Sequence, residues 1–229
     1  MIHLHSPQQL CPEFSSYIGI GIQGNASQRH IGILFRNNKE DKPKLLHLAF
    51  HLRLKCDSYE KFNNDYFWLI CPNLDDDEQL QLASHVKSVF DKNQNRIPYG
   101  LAYSSIGSFD SDGTLIENSK NLGLTCATFV MALFNDFGFP IIDTDSWELR
   151  ADDTIWQNHI INCMKDDRKT HPQIYSETHI DEQIKNIGIA SRFKPEEVAA
   201  SAHIFEEKPI IFQEAESFGK CLLSKMGIN

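Results

Sequence analysis

The order in which the apolar runs occur constrains this chain more than any single motif. Residues 17–22 (Tyr-Ile-Gly-Ile-Gly-Ile) and 30–36 (His-Ile-Gly-Ile-Leu-Phe-Arg) read as strands. A polar stretch from Asn37 to Lys44 follows, with Pro43 inside it, and Leu45 to Leu54 reads as the returning strand of a long-turned hairpin. Residues 66–71 form a further strand, stopped by Pro72. Helical periodicity comes only afterwards, and it does not alternate with strands. That order points to an α+β fold with an antiparallel sheet, not a doubly wound parallel one.

The segment from Asp75 to Lys92 reads as a helix, opened by Asp75-Asp76-Asp77-Glu78 at its positive end. Residues 93–123 are rich in loop signals, with Pro98, Gly100, Gly107 and Gly113. A second helix runs from about Thr125 to Phe137 and ends at Gly138. Residues 147–165 and 195–206 look helical, and a final helix is expected near 214–225. Residues 1–145 are read as the core, and 146–229 as a mainly helical extension packed on it as one structural unit.

Val130, Leu133, Phe134 and Phe137 recur at helical spacing and define one buried stripe. Cys126 lies on that stripe in the first turn, and Thr125 suits the N-cap. A helix N-terminus offers unpaired N–H groups and a positive partial charge, which favour a thiolate. The same N–H groups can hold the oxyanion of a tetrahedral intermediate. Otherwise Cys126 is a small buried apolar residue.

A thiol nucleophile needs a base within reach, and the base needs a third group to fix its tautomer. His30 opens one hairpin strand, and His47 and His51 lie on the other, four residues apart and so on one strand face. His30 and a second histidine can fill the two roles. Zinc is disfavoured, because two imidazoles four apart on a strand are ~13 Å apart. Gly19, Gly21 and Gly24 match a dinucleotide fingerprint on paper, but the strand at His30 leaves no room for the helix it requires. The acidic run at 75–78 lacks the spaced ligands of a calcium loop, and Asp110 to Gly113 reads as a turn.

The strand His30-Ile-Gly-Ile-Leu-Phe, the segment Leu45-Leu-His-Leu-Ala and the later Thr125-Cys-Ala-Thr-Phe-Val together resemble the circularly permuted NlpC-type papain-like superfamily. That group includes lecithin:retinol acyltransferase-like enzymes and bacterial amidases and peptidases. The resemblance spans roughly residues 17–138. It implies a papain-like antiparallel sheet packed on a nucleophile-bearing helix. It also implies Cys126 as nucleophile, His30 as base and His47 as the orienting residue. The hairpin turn is longer than usual, so His51 competes for the third place. Thr125 stands where Asn is common. Tyr99, upstream of the nucleophile helix, is a candidate oxyanion contributor.

The resulting expectation is a cysteine peptidase or amidase that cleaves an amide through a thioester. A peptide of the peptidoglycan type is the first substrate class, with an inhibitory immunity protein as a conceivable partner. The alternatives are a catalytically silent papain-like binding module and a lipid acyl hydrolase or transferase. No cofactor or metal is expected.

A net charge of −9 with scattered basic residues argues against nucleic acid or an anionic membrane as main partner. The six cysteines are widely spaced, with no CxxC pair, and read as free thiols in a reducing setting. No secretory leader or membrane span is read. The chain is taken as cytoplasmic as synthesised, with export by a signal-less route left open.

Overall fold

The structure is a computed structural model describing residues 2–9, 14–116, 122–176 and 178–228. Cys11 and the part of the 93–123 loop at 117–121 lie outside them. The sheet is antiparallel, in the order β4-β3-β2-β1-β5. Its strands are β1 (Ile18–Gly24), β2 (Arg29–Phe35), β3 (Lys44–Phe50), β4 (Arg53–Asp57) and β5 (Phe67–Ile70). The helices are α1 (Tyr59–Phe62), α2 (Asp76–Asn93), α3 (Cys126–Asp136), α4 (Asp153–Thr170), α5 (His179–Ile184), α6 (Pro195–Ile204) and α7 (Phe212–Lys225). No helix among the described residues is long and apolar enough to cross a membrane.

The strands carry two different faces because side chains alternate. Ile18, Ile20 and Ile22 of β1, Ile31, Ile33 and Phe35 of β2, and Leu46 and Leu48 of β3 join the main core with helices α2, α3 and α6. The opposite face carries Leu34, Leu45 and Trp68, covered by Phe14, Phe62 and Tyr66 in a smaller cluster. His30, His47 and Asp57 share the alternation of this second face. The main core continues through Ile160, Ile161, Val198, Ala199 and Leu222, so the C-terminal helices share one interior with the sheet.

One element departs from the sequence expectation. The run Leu45 to Leu54 is not a single strand: β3 ends at Phe50, the chain turns at His51 and Leu52, and β4 returns alongside it. Leu52 adopts a φ of 54°, a left-handed conformation uncommon for a bulky residue. The turn therefore lacks the glycine, asparagine or proline that normally announces one. His51 sits in this turn and does not continue the face that carries His47. The helices expected at 147–165 and 195–206 lie at Asp153–Thr170 and Pro195–Ile204.

Candidate functional site

Helix α3 begins at Cys126 because Thr125 caps it. The Thr125 hydroxyl accepts the Thr128 N–H at 3.1 Å, and the Thr128 hydroxyl takes the Thr125 N–H at 2.8 Å. This reciprocal box satisfies two otherwise unpaired groups at the helix start. It leaves the Cys126 thiol beside the backbone N–H groups of Cys126 and Ala127, which favour its anion. The Ile31 N–H does the same from β2. That donor is available because the β2–β3 ladder pairs only Ile33–Phe35 with Lys44–Leu46 and stops before Ile31.

Burial nevertheless dominates and pushes the Cys126 thiol up to about 11, against the pull of those N–H groups and of Arg192. In this state the sulfur is a thiol.

His30 and His47 meet, at 2.7 Å between Nε2 of His30 and Nδ1 of His47. On the far side, Nε2 of His47 lies 3.2 Å from Oδ2 of Asp57, whose Oδ1 accepts from Lys61 at 2.7 Å. Burial works against the Asp57 carboxylate, but the hydrogen bonds from Lys61 and His47 outweigh it and hold it below the usual range. Asp57 is thus an ionised acceptor, and His47 Nε2 must donate to it. Burial also lowers the pKa of His47 despite the help of Asp57. A neutral His47 protonated at Nε2 has a bare Nδ1, so that Nδ1 accepts from His30 Nε2–H. Burial, with His47 and Lys55 adding to it, lowers the pKa of His30 to about 3. His30 is therefore neutral at pH 7, and its free lone pair is on Nδ1.

Glycine at position 32 permits this contact. A Cβ there would stand 2.8 Å from the Leu46 carbonyl oxygen and 2.9 Å from the Cβ of His47. The small residue lets β3 carry the His47 ring across to His30.

His30 and Cys126 line one cavity of about 90 Å³, together with Tyr99, Trp156, Cys163 and Arg192. No hydrogen bond joins the Cys126 sulfur to His30. Tyr99 is buried, and its hydroxyl lies at the backbone N–H of Cys126; burial raises its pKa well above the ordinary value, so it remains a donor.

His51 belongs elsewhere. Its Nε2 lies 3.1 Å from the Ile174 carbonyl, its Nδ1 accepts the Tyr99 N–H at 3.2 Å, and its ring stacks on Tyr175. It braces the segment that carries Tyr99.

Asp57 carries no signal in the sequence, because the turn at His51 and Leu52 that creates β4 contains no turn-forming residue. Trp156, His159, Cys163 and Arg192 also line the cavity, from the C-terminal extension. Their only sequence signal was membership of α4 and its neighbours. No group of three or more His, Cys, Asp or Glu among the described residues could hold a metal ion. Comparison with protein-family models, with curated proteins and with solved structures finds no match.

Proposed function

We propose that this protein is a cysteine hydrolase that cleaves an amide bond through a thioester, in the manner of permuted papain-like enzymes. The observation that carries the reading is the polarised chain Asp57–His47–His30, whose last ring lines a cavity shared with a helix-initial cysteine.

In the first step the Cys126 sulfur bonds to the substrate carbonyl carbon, and its proton passes to His30 Nδ1. The oxyanion is held by the Cys126 backbone N–H and the Tyr99 hydroxyl. The C–N bond then breaks, His30 returns the proton to the departing amine, and a thioester remains. Water, deprotonated by His30, attacks that thioester and releases the acid with the thiol restored. A high thiol pKa suits this concerted route, since the proton leaves as the new bond forms. A peptide of the cell-wall type is the first substrate to assay, then acyl esters.

One observation favours the second reading, a silent binding module. Cys126 and His30 are both neutral and not hydrogen-bonded to each other. Substitution separates the two. Cys126→Ala is expected to abolish hydrolysis of cell-wall peptide fragments while leaving the fold intact, and His30→Ala to cost nearly as much, because nucleophile and base act as a unit. Full activity in Cys126→Ala removes the thiol mechanism.

A further inference from the structure

The cavity beside Cys126 is lined by a guanidinium that has no hydrogen-bonded counter-ion among the described residues. Arg192 lies in its wall, with its Cζ 4.4 Å from the centre of the Trp156 ring. Its Nε is shielded from solvent and has no hydrogen-bond partner, and its guanidinium makes no ion pair among the described residues. Asp153 and Glu196 act on it through charge, but each hydrogen-bonds a different arginine. Glu196 takes two hydrogen bonds from Arg29, at 2.8 and 3.1 Å. Asp153 and Glu197 are engaged by Arg150.

The Arg192 backbone is also fixed, since its carbonyl accepts from Trp147 Nε1 at 3.0 Å and from Arg150. The result is a held, planar fork with one face against an indole and its donors unspent. Leaving a buried charged donor unsatisfied is costly. A guanidinium fork matches a carboxylate in two parallel hydrogen bonds.

We propose that Arg192, backed by Trp156, is a substrate-binding residue that takes a carboxylate lying close to the bond attacked by Cys126. This rests on the hydrolase reading above and names its substrate class: amides that carry a carboxylate near the scissile carbonyl. Arg150 and Arg29 take the hydrogen-bonding oxygens of Asp153, Glu197 and Glu196, so Asp153 and Glu196 act on Arg192 through charge alone and its donors stay available.

The test uses two alkylating probes that differ in charge. Iodoacetate and iodoacetamide react alike: the thiol sulfur bonds to the methylene carbon, iodide leaves, and the thiol proton passes through His30 to solvent. Rates are followed at each cysteine by peptide mass spectrometry, with exposed Cys221 as the internal reference. Relative to Cys221, Cys126 is expected to prefer iodoacetate by about tenfold, the scale of a hydrogen bond to a charged group. The preference should fall with added salt. Arg192→Gln should lose it and Arg192→Lys keep part of it, each variant being checked for folding by thermal unfolding.

A normalised ratio of one in the wild type overturns this proposal and leaves the hydrolase reading standing. A Cys126 inert to both probes overturns both. Protection of Cys126 from iodoacetamide by N-acetylalanine assigns the carboxylate to a chain end. Protection by N-acetylglutamic acid α-amide assigns it to an acidic side chain. Protection by neither overturns the proposal.

Discussion

Gly32→Ala tests whether the His30–His47 contact depends on a missing methyl group. The glycine does not adopt a left-handed backbone, so alanine can take its conformation. In open space the exchange would stabilise the strand by up to about 1 kcal/mol, through the entropy that glycine loses on folding. Here the new Cβ would meet the Leu46 carbonyl at 2.8 Å and both His47 Cβ and Leu45 Cδ1 at 2.9 Å. Two of these three neighbours are backbone or the first side-chain carbon, which cannot swing away. Forcing an extra carbon into such packing costs roughly 1–3 kcal/mol, so overpacking exceeds the entropy gain. A net loss of about 1 kcal/mol would lower Tm by roughly 2–4 °C for a domain of this size. Tryptophan fluorescence on heating measures it, and imidazole NMR reports whether the His30–His47 hydrogen bond survives. Gly21→Ala is the control. Gly21 pairs with Gly32 across the sheet, but a Cβ there would meet mainly side-chain tips, at 3.0 Å from Leu45 Cδ1 and 3.3 Å from Tyr66 Cδ1. If Gly32→Ala is as stable as wild type with the histidine contact intact, the packing argument is wrong.

Two further outcomes are expected. Asp57→Asn should slow Cys126 alkylation or turnover by roughly ten- to hundredfold, the range found for partners that orient metal-bound histidines and below the loss for a carboxylate that touches the base itself. The imidazole nitrogen shifts should show His47 losing its fixed Nε2–H tautomer, and an unchanged tautomer would remove Asp57 from the chain. Stability should fall on acidification. His30 is lowered to about 3 and His51 to about 4, both chiefly by burial, so the folded protein refuses protons that the unfolded chain accepts below the ordinary histidine pKa of 6.5. The stabilisation is complete above that value and drains as pH falls toward 4 and 3. Urea midpoints at pH 7.5, 6, 5 and 4 should decline, and a flat profile between 7.5 and 5 would contradict the burial of these rings.

The parts of the site legible in the sequence are those written in local periodicity. The α3 stripe and its cap placed Cys126 at a helix start, and strand alternation put His30 and His47 on one face. The choice between His47 and His51 depended on the exact turn. The ladder pairs Ile33 with Leu46, which seats His47 beside Gly32, while the unannounced turn at Leu52 carries His51 away. That same turn creates β4, and without β4 there is no Asp57 beside His47. Arg192 was illegible for a different reason. The role proposed for it rests on its place in the cavity wall against Trp156, which is set by the packing of α4 and α6 and not by any spacing along the chain.

The proton chain is a property of sheet register. Asp57, His47 and His30 stand on β4, β3 and β2, three neighbouring strands, and each hydrogen bond crosses one gap between strands. Neighbouring strands lie about 4.8 Å apart, a distance that one imidazole can bridge with hydrogen bonds at its two nitrogens. A slip of β3 by one residue would turn His47 to the helix face and put Leu46 or Leu48 in its place. The irregularity of the β3–β4 pairing falls between Leu48 and Phe50, beyond His47. The strand therefore keeps regular pairing through His47, Lys55 and Asp57, and departs from it only where the chain must turn. On the other side, the β2–β3 ladder ends before Ile31, and there its N–H faces the sulfur. Regular pairing at one end of the hairpin aligns the histidines. Its absence at the other lets the Cys126 sulfur approach the same strand that carries His30.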